Sequence, residues 1–169
     1  NKETDKISLF GVNAYQPVYS LLGAGKVMID DDKKQTFGPE LEKEGFTLNE
    51  ELSTWYESHH EYYREYKDTN FINFNINGAS WDEIDTDSKL DDNYNTAIYV
   101  LGRVGNEGVD LPPYTTNKGG TSGLTDGDYL KLTAKEISVL EGLKQAKDNQ
   151  NYSPFFTILL TTVNTASIT

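Results

Sequence analysis

Three short apolar runs, separated by helix-like segments, constrain the fold of this chain more than any other feature. The runs are Ile7–Gly11, Thr96–Leu101 and Phe155–Leu160. Short apolar runs of this kind are typical of strands that are buried on both faces, as parallel strands usually are. Strands that alternate with helices need right-handed crossover connections. The pattern therefore predicts a single α/β domain with a mostly parallel sheet flanked by helices.

Two capping boxes predict the starts of the two main helices. In each box a threonine and a glutamate three residues later satisfy each other's backbone amides. The first box, Thr47–Glu50, precedes aromatic residues at helical spacing and predicts an amphipathic helix over Glu50–Tyr66. The second box, Thr133–Glu136, precedes three apolar residues that are predicted to share one buried face: Ile137, Leu140 and Leu143.

The remaining segments carry weaker signals. Residues 12–25 predict a loop, and Lys26–Ile29 predicts a resumed strand. Thr36–Glu44 predicts a short helix that ends at Gly45, the residue type that favours left-handed geometry. The polar segment 68–95 predicts an irregular excursion. Residues 103–132 predict a loop far longer than an ordinary connection, which indicates a functional role.

Charge and composition exclude several classes of function. The 169 residues carry a net charge of −12, which argues against nucleic acid or an anionic membrane surface as partners. The chain has no cysteine, so disulfides, thiolate chemistry and cysteine-based zinc sites are excluded. No stretch approaches the ~20 apolar residues of a membrane span. A soluble protein with a neutral ligand is expected, either cytoplasmic or secreted, and the abrupt opening at Asn1-Lys2-Glu3 indicates a fragment.

The segment Gly102–Asp110 carries the candidate chemistry, because it follows a predicted strand and holds one acid between glycines, Glu107. Loops at the carboxyl ends of strands form the ligand crevice of open α/β sheets. Glycines let the backbone approach a bound molecule closely. The loop 11–25 and Asn164 follow the other predicted strands, so they are expected at the same edge. From spacing alone, a solvated Glu107 without function remains the alternative.

No cofactor or metal is predicted. Gly23-Ala24-Gly25 is not followed by a helix start, as a dinucleotide loop requires, and the lysine signature of a phosphate loop is absent. Two adjacent helical histidines, His59 and His60, point in different directions and cannot share one ion. The acidic run Asp82–Asp92 lacks the glycine and the terminal glutamate of a calcium loop.

Taken together, these motifs resemble the second domain of the glycoside hydrolase family three enzymes, the β-glucosidase group. The resemblance covers nearly the whole chain and rests on the order and spacing of its motifs. They are Ile7–Gly11 with Tyr15, Gly23–Gly25, Gly45–Asn49, Thr96–Asp110, Gly127–Glu136 and Thr157–Asn164. The family implies an α/β sandwich of about six strands, packed against a (β/α)8 barrel that residues 1–169 do not contain.

The resemblance also implies the chemistry, which is exo-acting, retaining hydrolysis of small β-linked oligosaccharides or glycosides without a cofactor. By motif, Glu107 is the general acid/base, and the nucleophile is an aspartate of the barrel. Arg103, Asp110 and Asn164 are implied as residues that position the loop or bind sugar hydroxyls. The sequence departs from the family where Asn106 replaces a glycine and where Leu111-Pro112-Pro113 replaces an arginine. The isolated fragment is expected to be inactive.

Two other functions remain open at this point. One is a non-catalytic carbohydrate-binding or structural domain of the same fold. The other is a flavodoxin-like signalling or nucleotide module, against which the missing phosphate loop argues.

Overall fold

The computed structural model describes residues 2–17, 29–62, 78–84, 94–104, 131–149 and 155–163. Within these ranges short turns of 3-10 helix cover Asp31–Lys33 and His60–Tyr62. The strands and α-helices, in chain order, are β1 Lys6–Phe10, α1 Val12–Tyr15, α2 Phe37–Lys43, β2 Thr47–Leu48, α3 Glu50–Ser58, α4 Trp81–Ile84, β3 Thr96–Val104, α5 Ala134–Asn149 and β4 Phe155–Val163.

The strands form one parallel sheet in the order β2-β1-β3-β4. β1 pairs with β3 from Ile7 opposite Thr96 to Phe10 opposite Tyr99. β3 pairs with β4 over its full length, and Val104 lies opposite Val163. The predicted α/β fold with a parallel sheet is confirmed. The described residues contain four strands, so the expected number of about six is not confirmed.

Alternate residues of the central strands are buried in different cores on the two faces of the sheet. Phe10 and Tyr99 belong to a core formed with α3 and α5, through residues such as Leu52 and Val139. Their neighbours along the strands, such as Leu9 and Val100, belong to a second core against which α2 packs. Because successive side chains of a strand point to opposite faces, a strand between two helical layers is mostly apolar on both of its faces. The apolar runs in the sequence reflect this arrangement.

The prediction that Thr47 and Glu50 form a capping box is wrong, because Thr47 and Leu48 form β2 and pair with Lys6 and Ile7. The helix α3 begins at Glu50, as predicted, but its N-cap is Asn49 and not Thr47. The Asn49 Oδ1 accepts a hydrogen bond from the Leu52 amide at 3.1 Å. The Asn49 amide donates to the Ile7 carbonyl at 2.8 Å, and the residue is only 1% exposed. Thr47 therefore pairs within the sheet, and the buried Asn49 caps the helix in its place.

The helix α3 ends earlier than predicted, at Ser58 instead of Tyr66. His59 leaves helical geometry with φ −103° and ψ 65°. The Ser58 hydroxyl donates to the Trp55 carbonyl at 3.0 Å, and His59 Nδ1 lies 2.7 Å from the same oxygen. The His59 amide donates to the same Trp55 carbonyl at 3.2 Å, so the last backbone bond of the helix and the two side chains share this oxygen. The rest of the predicted helix, residues 63–66, lies outside the described residues.

The second capping box is confirmed, but the buried face of α5 differs from the prediction. Val139 and Leu143 are buried, whereas Ile137 is 41% exposed. Glu136 points into the protein, towards Arg103. Residues three and seven positions further along a helix share its face, so Val139 and Leu143 are buried and Ile137 turns towards solvent.

Outside these helices, the predictions have mixed outcomes. The short helix before Gly45 is confirmed as α2, and Gly45 has the left-handed φ of +89°. The loop predicted over 12–25 is wrong at its start, where α1 forms, and residues 18–28 lie outside the described residues. The predicted strand Lys26–Ile29 falls mostly there, and Ile29 is not in a strand. Within the excursion predicted over 68–95, the described residues include the short helix α4.

Candidate functional site

The candidate site lies at the carboxyl edge of the sheet, where β1 and β3 end and α1 and α5 begin. Gly11 follows β1 with a φ of +96°, and a Cβ atom there would lie 2.5 Å from the Val100 carbonyl oxygen. Asn13 packs equally closely on Gly102, since a Cβ on that glycine would lie 2.5 Å from the Asn13 Cγ. Both glycines therefore allow the backbones of β1, β3 and α1 to approach one another. This is the edge at which open α/β sheets bind ligands.

Arg103 is buried near the end of β3 and bonds to both sides of the segment that follows. Its Nη1 donates to Glu136 Oε1 at 2.7 Å and to the Gly102 carbonyl at 3.1 Å. Its Nη2 donates to Glu136 Oε2 at 2.8 Å and to the Lys131 carbonyl at 2.7 Å. The two side chains are only 4% and 7% exposed. Paired donors and acceptors of this kind give the planar guanidinium one defined orientation.

The start of α5 fixes the carboxylate of Glu136. The Thr133 amide donates to Glu136 Oε2 at 2.8 Å, and the Glu136 amide donates to Thr133 Oγ1 at 3.1 Å. Glu136 thus completes the capping box and binds Arg103 with the same carboxylate. A buried carboxylate is tolerated when it is paired and hydrogen-bonded, as it is here.

Tyr99 lies in β3 next to this ion pair. Burial raises the pKa of the Tyr99 hydroxyl far above its usual value, and the Glu136 charge adds to the effect while Arg103 opposes it. The hydroxyl therefore remains neutral at physiological pH. It can donate a hydrogen bond but cannot act as a base there.

A small cleft opens between the end of β1 and the start of α5. Its volume is about 20 Å³, which is room for about one water molecule. Sites for drug-sized ligands are far larger, on the order of 300 Å³ or more. The side chains with polar groups that line it are Asn13, Tyr56, Tyr99, Thr133, Lys135 and Glu136. This cleft alone cannot hold a sugar ring.

An exposed ion pair joins the segment 78–84 to the start of α5. Lys135 Nζ lies 2.8 Å from Glu83 Oε2 and 5.3 Å from the centre of the Tyr62 ring. Burial acts to raise the pKa of Glu83, but hydrogen bonds from Lys135 and Ser80 outweigh it and lower the pKa overall. Exposed pairs of this kind contribute little to stability, about 0–1 kcal/mol. We assign this pair no part in the site chemistry.

Among the four site residues predicted from the sequence, Arg103 lies within the described residues. Glu107, Asp110 and Asn164 lie outside them, and their roles stay predictions. The sequence analysis did not predict that Glu136 is the buried partner of Arg103, because it assigned this glutamate only to the helix cap. The available signal was an arginine at the end of an apolar strand, which needs a buried partner.

Two further features are absent from the part of the chain that the structure describes. No group of three or more His, Cys, Asp or Glu residues there could hold a metal ion. None of the helices described is long and apolar enough to cross a membrane.

Comparison with known proteins gives a match of fold. No protein-family profile and no curated protein matches this sequence. A solved structure of β-glucosidase 3B from Thermotoga neapolitana in complex with glucose is similar, with a TM-score of 0.64 and 21% identity over 93% of this chain. The same enzyme in complex with α-D-glucose gives a TM-score of 0.63 and 21% identity over 93% of this chain. This chain covers 20% of the length of that protein in both structures, and the likeness establishes a shared fold.

Proposed function

We propose that this chain is the α/β sandwich domain of a glycosidase of the glycoside hydrolase family three type. In this proposal it supplies the general acid/base for exo-acting, retaining hydrolysis of small β-linked oligosaccharides or glycosides. The main support is the fold that it shares, over 93% of its length, with a β-glucosidase solved in complex with glucose. The ordered motifs of the sequence, which resemble that family, add independent support.

Glu107 is the proposed acid. It comes three residues after Val104, the last residue of β3, and parallel strands of this fold class present their ligand sites at that end. In its protonated form it gives its proton to the leaving glycosidic oxygen, and in the second step it takes a proton from water. Asp110 and Asn164 are proposed to bind sugar hydroxyls. Arg103 is proposed to hold the loop in place, since its guanidinium donates to Glu136 and to main-chain carbonyls.

The proposed reaction needs a second carboxylate, an aspartate nucleophile from a (β/α)8 barrel domain of the same enzyme. Retaining hydrolysis requires the two carboxyl groups roughly 5–5.5 Å apart across the anomeric carbon. The charge of the nucleophile keeps the acid protonated until the bond breaks. A sugar site shared between two domains also agrees with the small volume of the described cleft, about 20 Å³.

Replacement of the proposed acid in the complete protein tests this function. We expect Glu107→Ala to lower kcat/KM roughly 100-fold or more on glycosides with poor leaving groups, which need the proton. Activated aryl glycosides should lose far less, because their leaving groups depart without protonation. Azide should restore turnover of the activated substrates by attacking the glycosyl-enzyme, and Glu107→Gln should behave in the same way.

Glu51→Ala is the matched control, because Glu51 is an exposed glutamate of α3. It should leave both classes of substrate unaffected. Equal losses on both classes for Glu107→Ala would reject the assignment of the acid. Binding of glucose or cellobiose without any hydrolysis by the wild-type protein would favour the non-catalytic carbohydrate-binding domain instead.

A further inference from the structure

We propose that Glu136 is a positioning residue for the acid of the reaction proposed above. Together with Arg103 it ties the end of β3 to Lys131, and the segment between them contains Glu107. The inference rests on the proposed function and adds a residue to it. Glu136 lies at the start of α5, far from Glu107 in the sequence, and its apparent task there is only to cap the helix.

The contacts of Arg103 reach backbone on both sides of the segment. Before it, Nη1 bonds to the Gly102 carbonyl at 3.1 Å. After it, Nη2 bonds to the Lys131 carbonyl at 2.7 Å. The paired bonds to the Glu136 carboxylate, 2.7 Å and 2.8 Å long, fix the plane of the guanidinium between these two carbonyls. One planar group thereby sets the distance between the last residues of β3 and the residues that precede α5.

The carboxylate that receives these bonds is itself held by the helix. The Thr133 amide donates to Glu136 Oε2, and the Thr133 hydroxyl accepts from the Glu136 amide. The carboxylate therefore has little freedom relative to the α5 axis. Because Val139 and Leu143 bury the same helix face in the core, the position of α5 is passed on to Arg103 through this carboxylate. These contacts run from the core through α5 and the ion pair to the end of β3.

The chemistry of the pair favours a positioning role over a purely stabilising one. Both side chains are almost fully buried, and the desolvation of two such charges offsets most of their attraction. An apolar pair of similar volume could fill the space equally well. What an apolar pair could not do is set the direction and distance of two backbone carbonyls. Glu107 follows Arg103 by four residues in the sequence, so in this proposal the placement of Arg103 affects the placement of the acid.

A leaving-group series in the complete protein tests the inference. The variants are Arg103→Lys, which keeps the charge but loses the planar fork, and Glu136→Gln, which weakens the acceptor. We expect kcat/KM on poor leaving groups to fall roughly 10-fold to 100-fold, since misplacement by about 1 Å costs on that order. On activated aryl glycosides we expect a loss of less than about threefold. The dependence of rate on leaving-group pKa should therefore become steeper in both variants.

A double variant and a stability control separate positioning from general damage. Because both residues act through one pair, Arg103→Lys combined with Glu136→Gln should lose no more activity than the worse single variant. Asn49→Ala removes the buried cap of α3 and lowers the melting temperature without touching the pair. It should leave the leaving-group dependence at its wild-type slope.

Three outcomes would overturn the inference. In the first, Arg103→Lys and Glu136→Gln melt at lower temperature but keep the wild-type leaving-group slope, while Glu107→Ala shows the acid/base behaviour. The proposed function would then stand and this inference alone would fail. In the second, Asn49→Ala steepens the slope to the same extent as the two variants, which would make the effect one of stability. In the third, the wild-type protein hydrolyses no β-glycoside, and both proposals fail.

Discussion

The starts of α3 and α5 look alike in the sequence and differ in the structure. Each is preceded by a threonine with a glutamate three residues later, at Thr47–Glu50 and Thr133–Glu136. At α5 the box forms, and its glutamate also binds a buried arginine. At α3 the threonine is part of a strand, and a buried asparagine caps the helix with neutral hydrogen bonds. The same sequence motif therefore forms a capping box at one helix and not at the other.

The difference shows which information a capping motif contains. It indicates that a helix starts nearby, because its residue types satisfy free amides at that end. It does not indicate which residue does so, because neighbouring strands and buried partners compete for the same groups. One helix start consequently depends on charge, and the other on hydrogen bonds between uncharged groups. Three measurements test this contrast.

The largest effect is expected from Glu136→Ala at the charged helix start. This change leaves the guanidinium of Arg103 buried without its carboxylate, which typically costs about 3–5 kcal/mol of unfolding free energy. Denaturant unfolding of the variant measures the loss. Replacing both charges, as Arg103→Met with Glu136→Leu, should recover much of it, because no unpaired charge remains. A double variant as unstable as the single one would show that the damage is not due to an unpaired charge.

A smaller effect is expected at the uncharged helix start, from Asn49→Ala. This change removes a buried cap and should cost about 1–2 kcal/mol of unfolding free energy. The matched control is Thr47→Ala, which should cost less than about 0.5 kcal/mol, because Thr47 is exposed and does not cap the helix. Chemical denaturation of both variants, side by side, provides the measurement. An equal loss of unfolding free energy in the two variants would support the capping box at Thr47 that the sequence predicted.

The smallest effect at neutral pH is expected from Tyr99→Phe, which should change the unfolding free energy by less than about 1 kcal/mol. The contrast appears at alkaline pH. Burial raises the pKa of Tyr99 above its unfolded value of 10.0. The contribution of Tyr99 to the unfolding free energy is therefore complete below pH 10 and declines as the pH rises further. Above that pH the wild-type protein should lose up to about 1.4 kcal/mol per pH unit relative to the variant. Parallel curves of stability against pH would refute the burial of the hydroxyl.

The strands were predictable from the sequence, because a strand between two helical layers needs mostly apolar residues on both of its faces. Ile7, Phe10 and Val100 are apolar residues that meet this need, and all three are buried. The helix boundaries were less predictable. Thr47 could be a cap or a strand residue, and only pairing with Lys6 decides between them. The end of α3 at Ser58 is accompanied by side-chain bonds to the Trp55 carbonyl, which helical periodicity does not encode.

The candidate site was predictable in its location but not in its connections. Arg103 was expected at the carboxyl edge of the sheet, because it follows an apolar run. Its partner was not, because Glu136 already had a sufficient local explanation as a helix cap. An ion pair between residues so far apart in sequence depends on the crossover that brings α5 back to β3. The roles of Glu107, Asp110 and Asn164 stay predictions.

The contact between Arg103 and the Lys131 carbonyl has a consequence for how freely such a chain can change over evolutionary time. When the ends of a segment are already held together, lengthening the stretch between them has only a small entropic cost. Each doubling of length costs about 0.6 kcal/mol. Insertions and deletions between positions 105 and 130 could thus accumulate without disturbing the sheet. We expect the length of this stretch to vary among related chains, while the two charged residues at its base are kept.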